Sequence, residues 1–302
     1  MRVLMITGDK SISVPGTPGF ARFELQRSQV EDLALVYWGR GNLWPKLPKG
    51  HFDIVTAQDP FWRGLFAWYV SRLLHARLNI QVHADLDAQS FIKKIVARFV
   101  LNRASSVRVV SERVKKQVEV FGVRAPIQVL PVYLDIERFR GLQRQPGLQK
   151  TILWVGRFET EKDPLRAISV LKEVRESGVD AKLIMLGSGS MEHKLKQRAQ
   201  RLPVEFPGWQ DSAAYLGRAD VVLSTSLHES WGASIVEALA AGVPTVAPDV
   251  GIAHEAGAIV VSRQELAQAL TGALRSDTKV ELKLQLLTRE EWGHAWKESL
   301  LL

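Results

Sequence analysis

The segment HESWGASIVEALAAGVPTVAPDVG, residues 228–251, sets two carboxylates, Glu229 and Glu237, on either side of Gly232 where a loop should give way to a helix. Ser234 followed three residues later by Glu237 reads as a capping box ahead of the run IVEALAAG, which Gly242 and Pro244 end. A helix starting there turns its partnerless N–H groups and the positive end of its dipole toward Gly232, Ala233 and Ser234. With no side chain at Gly232, a phosphate can approach closely. Glu229, on the loop, would then face whatever a diphosphate carries. Glu237, one turn into the helix, would either accept hydrogen bonds from two adjacent hydroxyls or act only as a cap. The pattern suits a sugar nucleotide.

Other loops that follow strand-like runs carry matching chemistry. After TILWV comes GRFETEKDP, in which Gly156 permits a turn, Arg157 offers a planar fork of donors, and Lys162 adds a point charge just before a helix opened by Asp163 and Pro164. Two such cations would neutralise a diphosphate leaving group, unless they are ordinary surface charges. Gly187, in the GSGS that follows KLIML, allows a tight turn against a ligand, and Gly16 and Gly19 form a glycine loop after RVLMIT. His83 stands directly after LNIQV, where it is either structural or part of a site. Asp85 and Asp87 form an Asp-x-Asp pattern that we read as non-metal, and no metal site is expected.

Positioning these groups requires strands and helices in alternation, and short β-branched runs alternate with helical patterns throughout the chain. The strand candidates are RVLMIT, LALVYW, DIVTA, LNIQV, SVRVVS and IQVLP, then TILWV, KLIML, VEF, DVVLS, PTVA and AIVV. The expected fold is α/β: two Rossmann-like, doubly wound parallel-sheet domains facing across a cleft, with ligands at the strands' carboxyl ends. Residues 141–150, polar and carrying Gly and Pro, read as the linker, which gives domains of 1–141 and 142–302. The last helix, from about Glu290, is expected to pack back on the first domain.

The 302 residues, 46% of them hydrophobic, suffice for two cores. No cysteine is present, so disulfides and thiolate metal sites are excluded and a reducing compartment is the default. The N-terminal apolar run is too short for a signal peptide or a membrane span. The net charge of +8 sits in the first half, where residues 1–141 hold 21 Lys and Arg against 12 Asp and Glu. Residues 88–116, basic and interleaved with Phe91, Ile92 and Ile95, read as an amphipathic helix that would be merely solvated or would touch an anionic membrane. Nucleic acid is not expected as a partner, because no reading motif accompanies the charge.

With these motifs in view, the chain resembles the retaining glycosyltransferases of family 4, which have the GT-B fold. The resemblance is strongest from TILWVGRFETEKDP to DVGIAHEAG, where GR, the following Lys, a Gly-x-Gly turn, FPGW, ADVVLSTS and Glu–seven residues–Glu occur in order. It continues more loosely through VVSERVKKQVEVFG and His83 and ends at TREEWGHAWKESL. It implies that Arg157 and Lys162 bind the donor diphosphate, Glu229 contacts the transferred sugar, Glu237 holds the ribose and His83 lies beside the donor sugar. It further implies transfer from a UDP-sugar or GDP-mannose donor with anomeric configuration kept, without a metal or other cofactor. The acceptor would be a glycan or a lipid-linked molecule in cell-envelope synthesis, in the cytoplasm or on the inner face of the membrane. Two features depart from the family: PVYLD, residues 131–135, replaces the usual Pro-Asn-Gly-Val-Asp, and the first domain is short. Trp44, Trp62 and Trp68 would stack on sugars, dip into a membrane or fill core. Competing readings are a non-catalytic sugar-nucleotide-binding or assembly protein, and a sugar-nucleotide epimerase or hydrolase of the same fold.

Overall fold

Long apolar runs such as Val3–Ile6 are buried on both faces, as parallel strands between helix layers require. The computed structural model describes residues 1–39, 42, 45–145, 147–276 and 280–302, so Trp44 lies outside the described residues. The first sheet contains β1 (Arg2–Thr7), β2 (Asp32–Tyr37), β3 (Ile54–Ala57), β4 (Arg77–Val82), β5 (Ser106–Val109) and β6 (Ile127–Val129). They lie in the order β2-β1-β3-β4-β5-β6, all parallel. Its crossovers include α1 (Pro18–Arg27), α2 (Trp62–Leu73), α3 (Phe91–Leu101) and α4 (Glu112–Glu119). Thr17 and Ser111 cap α1 and α4 by accepting from the N–H groups of Phe20 and Val114.

The second sheet contains β7 (Lys150–Val155), β8 (Ala181–Leu186), β9 (Val204–Gly208), β10 (Val221–Leu223), β11 (Thr245–Ala247) and β12 (Ile259–Val260). Their order is β12-β11-β10-β7-β8-β9, again all parallel. The accompanying helices are α5 (Pro164–Glu176), α6 (Glu192–Arg198), α7 (Ala213–Leu216), α8 (Ala233–Ala240), α9 (Ala253–Ala256) and α10 (Leu266–Arg275). One face of this sheet packs Ile152, Trp154 and Leu183 against Ile168, Leu171 and Leu270.

The chain divides into two units, Met1–Tyr133 with Leu286–Leu302, and Leu134–Gln285. Residues 141–145 fall in the second unit because Phe139 and Leu142 join its core, while Gln145 N–H and Arg144 donate to the carbonyls of Gly217 and Ala219. The closing helix, Arg289–Leu301, belongs to the first: Trp292, Trp296 and Leu300 pack among Val3, Met5 and Ile54, and Trp292 Nε1 donates to Pro131 O at 2.8 Å. Its start is a capping box formed by Thr288 and Glu291.

The basic stretch 88–116 is not one helix. Strand β5 separates α3 from α4, and Arg108 within it is 1% exposed. Its guanidinium is spent on the carbonyls of Leu130 (3.0 Å) and Pro131 (2.8 Å) and on Gln81 Oε1 (2.6 Å). On α3, by contrast, Phe91, Ile92 and Ile95 are 77%, 63% and 54% exposed. Trp68 packs edge-on against Phe99, whereas Trp62 is half exposed. Among the described residues no helix is long and apolar enough to cross a membrane.

Candidate functional site

In the second sheet the chain runs outward from β7 through β8 to β9 and then returns to the other side of β7 as β10. The carboxyl ends of β7 and β10 therefore flank the reversal point where open α/β sheets bind ligands. The loops leaving these two strands are bonded into one block. Trp154 Nε1 donates to Thr225 Oγ1 at 2.9 Å, and that hydroxyl is 2.9 Å from the carbonyl oxygens of both Lys162 and Asp163. Leu227 N–H donates to Glu161 O at 2.8 Å. Arg263 donates to Thr225 O at 2.6 Å and pairs with the Asp163 carboxylate. Asp163 precedes α5 in a left-handed conformation, φ 41°, and its side chain makes no cap hydrogen bond, so Arg263 takes the carboxylate instead.

The block brings some expected residues together. Lys162 Nζ donates to Glu229 Oε1, which also accepts from Ser226 Oγ at 2.9 Å. Their side chains are only 19% and 12% exposed. Glu229 lies three residues before Gly232, whose left-handed φ of 109° starts α8. Arg157 points to Glu161 at 2.7 Å and is 61% exposed. Both expected phosphate cations thus rest on carboxylates, but on unequal terms: an exposed pair contributes about 0–1 kcal/mol and opens easily, whereas separating a mostly buried one strands a charge.

The expected capping box at Ser234 and Glu237 does not form. The N-cap is Gly232, no side chain caps the helix, and Ser234 and Glu237 are its second and fifth residues. A glycine able to adopt the left-handed conformation starts the helix two residues early, which carries Glu237 beyond the third position that a capping box needs. Ala233 and Ser234 thereby fall in the first turn, whose N–H groups have no partner within the helix. Glu237 Oε2 instead accepts from Ser212 Oγ at 2.8 Å. Burial raises the pKa of Glu237, against the opposing pull of Ser212 and the Arg138 charge. Gly156 and Gly187 hold two loops close: a Cβ on residue 187, where φ is +144°, would overlap the Gly156 carbonyl oxygen.

In the first unit His83 directly follows β4, half-buried, and its Nε2 is buried with no hydrogen-bond partner. Burial, then the charges of Arg108 and Arg22, push its pKa well below the usual imidazole value, so it is neutral at physiological pH. Gly16, φ +83°, sits in the turn before α1, where an added Cβ would meet nothing within 4 Å. Asp85 Oδ1 accepts from the N–H of Asp87 (3.0 Å) and from Gln117 (2.9 Å), and Gln117 also donates to Asp87 (3.0 Å). Among the described residues, no group of three or more His, Asp or Glu could hold a metal ion.

Sequence reasoning assigned no role to Thr225, Ser226, Ser212 or Arg263. The first two lie within the STS of ADVVLSTS, a local signal. Arg263 meets a residue 100 positions away, and nothing in its own neighbourhood announces that.

The geometry sets stability expectations for the ligand-free chain, to be read by thermal denaturation. Arg157→Ala should be nearly neutral, within about 0.5 kcal/mol, as for an exposed side chain. Lys162→Ala should cost about 1–3 kcal/mol because Glu229 loses its charged partner, and adding Glu229→Ala should recover part of that loss. Equal, negligible effects of Arg157→Ala and Lys162→Ala would disprove the distinction. For Glu237 the raised pKa means the half-buried carboxylate opposes folding above that pKa, while below the ordinary value of 4.5 both states are protonated and the effect is gone. Glu237→Gln should therefore stabilise the chain at pH 7 and lose that advantage as the pH falls toward 4.5. A pH-independent difference would rule out the carboxylate as its source.

A family model described as Glycosyltransferase Family 4 matches residues 12–138, and one described as Glycosyl transferases group 1 matches residues 149–276. A GDP-mannose-dependent alpha-(1-6)-phosphatidylinositol dimannoside mannosyltransferase of Mycobacterium tuberculosis is 32% identical over 129 residues, 39% of this chain and 34% of its own. The alpha-monoglucosyldiacylglycerol synthase of Streptococcus pneumoniae is 25% identical over 268 residues, 78% of this chain and 59% of its own. The chain thus spans between about a third and three-fifths of the lengths of these relatives. Among solved structures, Anabaena HepE in complex with UDP-glucose superposes with a TM-score of 0.73 at 18% identity, over 99% of this chain and 96% of that one. With a family model on each unit and the sheet topology of that fold in both, the chain belongs to the group 1, family 4 glycosyltransferases and has the GT-B fold.

Proposed function

We propose that the protein transfers a sugar from a nucleotide-sugar donor, a UDP-sugar or GDP-mannose, to a lipid-linked or glycan acceptor, with the anomeric configuration retained. The observation that carries this reading is the bonded block at the second sheet's reversal point, which sets Lys162 and Glu229 beside the Gly232 end of α8. The donor diphosphate docks at that helix end, against the N–H groups of Ala233 and Ser234. Arg157 leaves its exposed partner Glu161 to join Lys162 on the phosphates, and Gly156 and Gly187 let the backbone approach. Lys162 exchanges one anionic partner for another, which frees Glu229 to accept hydrogen bonds from the transferred sugar.

Glu237 accepts from the ribose hydroxyls. As the bond between the anomeric carbon and the diphosphate oxygen breaks, the acceptor oxygen bonds to the same face of that carbon, and its proton passes to the departing diphosphate. Arg157, Lys162 and the helix end stabilise the charge that develops, so the step needs no metal or other cofactor. Support for a lipid-linked acceptor comes from the relatives named for phosphatidylinositol dimannoside and glucosyldiacylglycerol. The exposed apolar face of α3, flanked by Lys94 and Arg98, would rest on an anionic membrane on the cytoplasmic side.

A thermal-shift screen of nucleotide sugars tests the donor site. The true donor at about 100 times its Kd adds roughly 2.7 kcal/mol, and Lys162→Ala should remove the shift. No shift with any UDP-sugar or with GDP-mannose would refute the reading. Flotation with phosphatidylglycerol-containing vesicles tests the helix separately. Binding should weaken with salt and with Ile95→Asp, and insensitivity to both would return α3 to an ordinary solvated face.

A further inference from the structure

Ser212 stands where a helix cap belongs, yet its hydroxyl does not cap. The chain leaves β9 at Gly208, φ +79°, and reaches α7 with Ser212 at the N-cap, a position where a serine side chain ordinarily accepts from the first-turn N–H groups. Here it makes no such bond. Asp211 takes over by accepting from Ala213 N–H at 3.1 Å, while the Ser212 carbonyl oxygen accepts from the N–H groups of Tyr215 (3.0 Å) and Leu216 (2.8 Å). The hydroxyl is thereby released, and it donates across 25 residues to Glu237 Oε2 at 2.8 Å.

The contact is rigid on both sides. Leu216 of α7 shares a core with Ala238 of α8, so the helix that Ser212 opens is fixed against the helix that carries Glu237, and Ser212 itself is 8% exposed. The two charges that act on Glu237, Arg138 and Asp211, are paired with each other and affect its carboxylate in opposite senses. That leaves the hydroxyl as the directional contact. Among the described residues no group donates to Oε1, so Ser212 pins one carboxylate oxygen and leaves the other open. Without the pin, the carboxylate would turn about a terminal torsion that is intrinsically broad and present neither oxygen at a fixed angle. We infer that Ser212 is a positioning residue for the nucleotide: it sets the orientation of Glu237 and, through it, the preference for ribose over 2′-deoxyribose. The role rests on the glycosyltransferase reading, in which Glu237 meets the donor ribose.

Calorimetric titration of the full chain with UDP, GDP and their 2′-deoxy counterparts tests it. The parent should bind one ribonucleotide about tenfold or more tightly than its deoxy form, and in Ser212→Ala that ratio should fall to within about threefold of unity, chiefly through lost ribonucleotide affinity. A general loosening of the site would instead weaken both forms alike. In a Glu237→Ala background Ser212→Ala should change ribonucleotide affinity less than about twofold, because the group it positions is gone. Threonine and valine have the same shape and differ in the hydroxyl, so Ser212→Thr should keep the ratio and Ser212→Val lose it, a comparison that stands even if alanine impairs folding. A parent that binds nucleotide without preferring ribose, a ratio unchanged by the loss of the hydroxyl, or an undiminished effect in the Glu237→Ala background would overturn the positioning role and leave the donor site in place. A parent that binds neither UDP nor GDP would remove the donor site itself, and the role with it.

Discussion

Glu229 Oε1 is shared between the Lys162 ammonium and the Ser226 hydroxyl, and the rest of the second unit's strand-end architecture serves to keep that three-way contact in place. Lysine and glutamate are 67 residues apart, on loops that leave different strands, so the pair exists only if those loops hold a fixed register. Thr225 supplies it by bonding back to the loop that carries Lys162, and buried Trp154 locks Thr225 from beneath. A mostly buried ion pair contributes little net stability once desolvation is counted. In the proposed function its value is preorganisation, because a cation already held by the loop that leads into α8 needs no reorientation when a diphosphate replaces Glu229 as its partner.

The contrast between Lys162 and Arg157 follows from the same constraint. One is fixed and mostly buried, the other exposed and held by a pair of little worth. In the proposed function a phosphate finds one preset contact in Lys162 and one that closes over it in Arg157. Asp163 supports this from behind: its left-handed backbone is strained for a non-glycine residue, and Arg263, anchored on the Thr225 carbonyl, offsets the strain through the Asp163 carboxylate.

The strands were legible because buried parallel strands are continuous apolar runs. RVLMIT coincides with β1, and TILWV falls one residue short of β7. Most of the candidate site's glycines and charges were legible as residues on the loops that follow such runs. Partnerships were not. Arg108 looked like one more charge in a basic stretch, yet Gln81 and the carbonyls beyond β6 satisfy it inside the sheet, a contact that depends on which strands lie side by side. The Ser234–Glu237 spacing met every local rule for a capping box and failed because Gly232 set the helix start first. The same spacing does form the box at Thr288 and Glu291, where no glycine precedes it.

Glu237 shows why the structural role of a residue and its role in the site need separate arguments. A helix cap would place a carboxylate near solvent, where its charge carries little cost. Here the carboxylate is half-buried, leans on one serine hydroxyl and has its pKa raised, so holding it as an anion works against folding. Glutamine would fill the same space and keep the acceptor that Ser212 requires. In the proposed function the charge has a use, because paired ribose hydroxyls are met best by an acceptor with two equivalent oxygens and no competing donor.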